Sequence, residues 1–196
     1  MIDMLIMGGL LITMDPELRV IEDGTVAIEG DSILQVGRRE QIDAKYDARK
    51  IIDANRMAVM PGLIDAHAHA GHTLVKTRGV DLAEDRWVQV CETTYTRGTT
   101  EGYWYADALL GALERAKFGT SCGVSFFGGG DSFMRTDDPV YGDRHCEGVR
   151  NVGIRDFLVV GPSKSPYPKK FTRWDGDARR DIMVSFEDQL RTSETL

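Results

Sequence analysis

His67 and His69, in the run Pro61-Gly62-Leu63-Ile64-Asp65-Ala66-His67-Ala68-His69, are the side chains whose type and spacing best suit chemistry. The run reads as a short buried strand, started by Pro-Gly and committed to a core by Leu-Ile. Side chains alternate along a strand, so Asp65, His67 and His69 are expected on one side and Ile64, Ala66 and Ala68 on the other. Two imidazoles offered by one rigid strand make half of a metal site, and imidazole nitrogen suits zinc, iron, nickel or copper. The small alanines between them leave room for an ion. A bare His-x-His also arises by chance on a polar strand face, and here the context favours a metal. His72 and His145 are the only other imidazoles in the chain.

The longer run "MPGLIDAHAHAGHTLVKTRG" resembles the first barrel strand and following loop of the amidohydrolase superfamily. Within it, the similarity is to the branch of cytosine, guanine and methylthioadenosine/S-adenosylhomocysteine deaminases and triazine chlorohydrolases. The resemblance is strongest at residues 59–79 and weak after Pro162. It implies that His67 and His69 bind one divalent metal ion, zinc or iron. The family completes its site with a histidine after the fifth strand, a glutamate and histidine farther on, and an aspartate after the eighth strand. No position here matches them, so the catalytic residues are expected in a C-terminal part.

Length agrees with that expectation. A barrel of this type takes about 250 residues, whereas the chain has 196 and must also fold a segment ahead of its first barrel strand. It reads as the N-terminal part of a longer enzyme, whether through truncation, a partial gene or a split reading frame. The fold class expected is α/β: residues 1–60 form a small β-sandwich-like domain, and residues 61–196 the first β/α units of an incomplete TIM-type (β/α) barrel.

Composition, with 42% hydrophobic and 28% charged residues, provides for a core and a solvated surface. The net charge of −7 argues against a broad nucleic-acid surface, which draws on clustered Lys and Arg. Three widely spaced cysteines, Cys91, Cys122 and Cys146, suit reduced thiols in the cytoplasm. The apolar start, Met4 to Thr13, is interrupted by Gly8-Gly9 and lacks a basic flank, so neither a secretion signal nor a membrane span is indicated.

Short strands are expected at residues 4–7, 10–14, 25–29, 33–36 and 50–53, with turns at Gly8-Gly9, Asp15-Pro16 and Gly30-Asp31 and a polar connection over residues 38–49. After His69 the pattern changes. Ala106, Leu109, Leu110, Leu113 and Ala116 recur at helical spacing, with Thr100 as N-cap and Gly119 as stop. A strand over 121–127 follows, then a loop opened by Gly128 to Asp131. Asp138-Pro139 reads as an N-cap with proline at the first helical position, for a helix reaching Val152 and ended by Gly153. A third strand is expected over 154–160. Alternation of this kind argues for parallel β/α units.

In such units the chemistry sits on loops leaving the C-terminal ends of strands. The loop after the first strand contains His72 and Trp87, both assigned to substrate binding. His72 either lines the pocket or is a solvated loop histidine. Trp87 either packs against a heteroaromatic ring or serves as core. His145 falls within the second helix, where a packed or exposed structural histidine is the better reading. Cys122 and Cys146 read as small core residues. The basic and aromatic segment Ser163 to Gly176 reads as a lid over the barrel mouth.

What the resemblance implies chemically is a metal-activated water attacking an electron-poor ring carbon, with ammonia leaving in a deaminase and chloride in a chlorohydrolase. The partner is then a small heterocyclic substrate, with no nucleic acid and no membrane. A homodimer, or assembly with a separately encoded C-terminal half, is compatible with the sequence. The contrasting reading is a noncatalytic, truncated metal-binding fragment.

Overall fold

Two units make up the chain, Met1–Pro61 and Gly62–Leu196. The computed structural model describes residues 1–128 and 134–196. The expected loop opened by Gly128 to Asp131 therefore lies largely outside the described residues.

In the first unit, strands β1 (Ile2–Ile12), β2 (Val20–Glu29), β3 (Ser32–Arg38), β4 (Ala48–Asp53) and β5 (Ala58–Val59) form one sheet in the order β3-β2-β1-β4, with β5 also on β1. The separate strands expected at 4–7 and 10–14 are one strand. Gly8-Gly9 does not turn the chain; Gly8 adopts φ +82 and the pairing with β2 slips on either side of Gly9, a bulge that keeps the strand continuous. Helix α1 (Arg39–Asp43) replaces part of the expected polar connection, because Ile42 has a core to enter with Ile2, Leu5 and Ala27.

The second unit contains a parallel sheet of β6 (Leu63–His69), β7 (Thr120–Phe126) and β8 (Arg155–Val159), in that order. Between β6 and β7 run helices α2 (Glu84–Arg97) and α3 (Glu101–Lys117), and between β7 and β8 runs α4 (Pro139–Val152). The caps of α4 follow the sequence signals. Asp138 accepts a hydrogen bond from the Val140 N–H at 3.1 Å, Pro139 occupies the first turn, and Gly153 closes the helix at φ +87. A hairpin, β9 (Lys169–Asp175) and β10 (Ala178–Val184), and helix α5 (Phe186–Thr195) complete the unit, α5 starting with a Ser185–Asp188 capping box. No helix among the described residues is long and apolar enough to cross a membrane.

Helix α3 exists where its periodicity predicts, but its buried face differs. Trp104, Asp107, Ala108 and Ala112 are buried, while Leu110 and Leu113 stand exposed. The reason is close helix packing, which favours small side chains over leucines. A Cβ added at Gly148 of α4 would lie 2.6 Å from the Tyr105 carbonyl oxygen and 3.0 Å from the Leu109 nitrogen of α3. Trp104, fully buried, anchors the core of this unit with Tyr95, Phe127, Met134 and Tyr141.

Strand β6 is not the buried strand its sequence suggests. Leu63 is 51% and Ile64 72% exposed, as is Phe157 of β8 at 65%. Among the described residues β6 pairs only with β7, and the helices cover only one face of the sheet. By strand alternation Ile64, Cys122, Val124, Phe126 and Phe157 share the opposite face, and there the apolar side chains meet no layer.

The α3–α4 contact yields a direct test. Gly148→Ala would add up to about 1 kcal/mol of helix propensity, yet its methyl meets backbone, which cannot swing aside, at a cost of about 1–3 kcal/mol. A lower urea midpoint is expected for this variant; an unchanged or higher one would show that the helices do not approach as described.

Candidate metal centre

Between the pairs Asp65↔Gly123 and Ala68↔Ser125, two residues of β6, Ala66 and His67, face one of β7, Val124, so β6 bulges at its first histidine. The bulge overturns the expectation that Asp65 shares a side with His67 and His69. Asp65 lies on the helix-covered face, where its carboxylate meets the Arg115 guanidinium at 3.1 Å, and Arg115 also reaches Ser125. Phe126, the next residue after Ser125 and so on the opposite face, receives the histidines: its ring lies 4.8 Å from His67 and 5.6 Å from His69. The turn between is tied by the His67 N–H, which donates to Asp65 Oδ1 at 3.4 Å.

The two imidazoles converge. His67 Nε2 and His69 Nε2 are 3.3 Å apart, with ring planes at 62°. For metal–nitrogen bonds of about 2.0–2.1 Å in tetrahedral geometry, two ligand nitrogens lie about 3.3–3.4 Å apart. The spacing therefore fits two ligands of one ion, and without one it fits a single Nε2–H donating to the other ring. His69 is held below the ordinary imidazole pKa by burial and by the neighbouring His67, which favours the neutral form that a metal requires. No group of three or more His, Cys, Asp or Glu side chains forms a metal site among the described residues.

The two residues assigned to substrate binding lie beside this pair. His72 stacks on His69 with centroids 5.4 Å apart, and the Trp87 ring meets His72 edge-on at 5.6 Å. Trp87 is not a loop residue: it occupies the first turn of α2 and is 37% exposed. His72 is no solvated loop histidine either. Burial, with a smaller contribution from His69, lowers its pKa to about 4, and burial raises that of Tyr95. The Tyr95 hydroxyl and His72 Nδ1 share a short hydrogen bond, whose donor is set by which ring nitrogen carries the proton.

Asp107, which sequence reasoning did not single out, shapes this loop. It is buried in α3 and accepts hydrogen bonds from the Gly71 N–H at 2.9 Å and the Leu74 N–H at 2.7 Å, while the Tyr103 hydroxyl donates to the Gly71 carbonyl at 2.6 Å. Burial raises the Asp107 pKa, opposed by those N–H donors. A carboxylate inside an otherwise apolar helical stripe was the available signal. His145 lies apart, buried in α4 with Nε2 3.3 Å from Asp156, in keeping with a structural role.

No protein-family model matches the chain. It is 34% identical to a 5-methylthioadenosine/S-adenosylhomocysteine deaminase of Syntrophobacter fumaroxidans over 85% of the chain and 35% of that protein. It is also 34% identical to a 5'-deoxyadenosine deaminase of Methanosarcina mazei, over 95% of the chain and 42% of the relative. The fold is similar to that of a zinc-bound adenosine deaminase from Xanthomonas campestris, with a TM-score of 0.73 and 20% identity over 96% of the chain and 37% of the other. A zinc complex of atrazine chlorohydrolase from Arthrobacter aurescens TC1 gives 0.64 and 22%, over 80% of the chain and 35% of the other. These relatives and solved structures are amidohydrolase-superfamily proteins, and the chain is similar to their N-terminal part. It spans between about a third and two fifths of their length.

The loop supplies a prediction of its own. Asp107→Ala leaves the buried Gly71 N–H without its acceptor, at a cost of about 1–3 kcal/mol, and also frees the half-buried Leu74 N–H. The expected result is a lower unfolding midpoint together with displaced His72 ring resonances in NMR spectra; His72 signals at their original shifts would show that Asp107 does not hold the loop.

Proposed function

We propose that this chain is the metal-binding, N-terminal part of a hydrolase that acts on carbon–nitrogen bonds other than peptide bonds, deaminating a heterocyclic amine. The observation that carries the reading is the 3.3 Å convergence of His67 Nε2 and His69 Nε2 at the C-terminal end of a parallel strand. His67 and His69 would hold one divalent ion, with zinc favoured over iron by analogy with the zinc-bound adenosine deaminase of similar fold. Such an ion lowers the pKa of water toward about 7 and so supplies a nucleophile near neutral pH. The imidazoles serve as neutral donors, and Phe126 beneath them restricts their tilt. His72, locked by Tyr95, and Trp87 offer a ring-lined wall against which a flat heterocycle could stack.

In this reading residues 61–196 are the first β/α units of a TIM-type barrel, and residues 1–60 a portion of a β-sandwich. The other metal ligands and the acid–base groups come from a C-terminal part, in the same polypeptide or a separate one, which also covers the exposed face of Ile64 and Phe157. Three free cysteines fit a reducing, cytoplasmic setting. Expulsion of chloride instead of ammonia would use the same attack geometry. Deamination is preferred because the curated relatives named above are deaminases.

In a polypeptide that joins this chain to the remaining site residues, His67→Ala is expected to lose its bound metal, and kcat/KM on aminopurine nucleosides should fall by more than about 100-fold. Full metal content and an undiminished rate in that variant would reject the assignment.

A further inference from the structure

Arg115 of α3 lies across all three strands of the parallel sheet, on the face away from the histidines. Its guanidinium contacts Asp65 of β6 at 3.1 Å, Ser125 of β7 at 3.2 Å and Asp156 of β8 at 3.2 Å. Asp65, Gly123 and Asp156 form one row across the sheet. Gly123 leaves the space the guanidinium occupies, since a Cβ there would come within 2.7 Å of Arg115 Nη1. Asp156 is braced in turn by His145 at 3.3 Å. Immediately beyond this row β6 bulges, and the bulge aims the histidines at the other face.

An extra residue in a strand is costly unless something fixes it, because the ladder is interrupted there. The clamp acts at that interruption: Asp65 accepts from Arg115 at Oδ2 and from the His67 N–H at Oδ1, so one carboxylate joins the arginine to the first histidine. Arg115 and Asp156 are largely withdrawn from water, with side-chain exposures of 16% and 6%, while Asp65 at 34% is half-buried, so water screens the Asp156 pair less than the Asp65 pair. Arginine suits the role because its planar fork can meet two carboxylates and a hydroxyl at once, whereas lysine offers a single point charge.

We propose that Arg115 is a positioning residue for the His67–His69 pair, holding the β6 bulge from the opposite face and thereby setting the spacing of the two imidazole nitrogens. The proposal rests on the metal reading for its purpose, but its geometric content stands apart from it. Two readouts test it on this chain: crystal structures, and zinc affinity measured by competition with a chromophoric chelator. The variants are Arg115→Met and Arg115→Lys, with Gly148→Ala as a destabilised control that replaces none of the clamp residues.

In Arg115→Met the Nε2–Nε2 separation should open from 3.3 Å to beyond about 4 Å, a spacing too wide for two ligands of one tetrahedral ion. Zinc affinity should fall about 10- to 100-fold, as for other residues that orient metal ligands. Arg115→Lys should lie between the parent and Arg115→Met, and it decides the matter if Arg115→Met does not fold. Gly148→Ala should keep the parent's zinc affinity. Parent-like spacing in both arginine variants, or an equal loss of zinc in Gly148→Ala, would overturn the proposal. A parent chain that binds no zinc would sink the metal reading, while the variant structures would still judge the proposal through the spacing.

Discussion

The bulge in β6 is the constraint on which the rest of the site depends. A regular strand would place Asp65, His67 and His69 on one face, leaving a carboxylate among the imidazoles and nothing to grip the strand from behind. With one residue added between the pairs Asp65↔Gly123 and Ala68↔Ser125, the carboxylate turns toward α3 and the rings turn toward Phe126. Bulges commonly re-aim a side chain beside a functional site. Here the effect is to separate the charge pairing from the imidazole pair, one on each side of a single sheet.

The two faces are built on different physics. The helix-covered face is dense, with Trp104, Phe127 and Tyr141 packed in its core and the buried Asp107 serving backbone N–H groups of the loop after β6. The other face keeps Ile64 and Phe157 in water, at a cost on the order of 25 cal/mol for each Å² of apolar surface left uncovered. That asymmetry accords with a chain spanning 35% to 42% of the length of its deaminase relatives. His72 and Trp87 are held together from α2, which supplies both Trp87 and the Tyr95 hydroxyl that meets His72.

Local signals made much of this legible in the sequence. The caps of α4 were readable because Asp138-Pro139 and Gly153 act through their own backbone geometry. The strand carrying His67 and His69 was readable from Pro-Gly and alternation, and its histidines do converge. What escaped was set by tertiary contact. The direction of Asp65 depends on Arg115, 50 residues away. The buried face of α3 follows from close approach to Gly148 rather than from its leucines, and α2 carries Trp87 although no clear apolar period marked that segment as a helix. Burial of β6 failed for a different reason: apolar composition states what a strand can bury, not what is present to cover it.

The most direct measurement is an anomalous difference map at the zinc absorption edge from crystals of this chain equilibrated with zinc. The account predicts one peak about 2.0–2.1 Å from both His67 Nε2 and His69 Nε2, with the rings still seated on Phe126. Density with no peak between the two rings, or with the imidazoles turned away from each other, would contradict it.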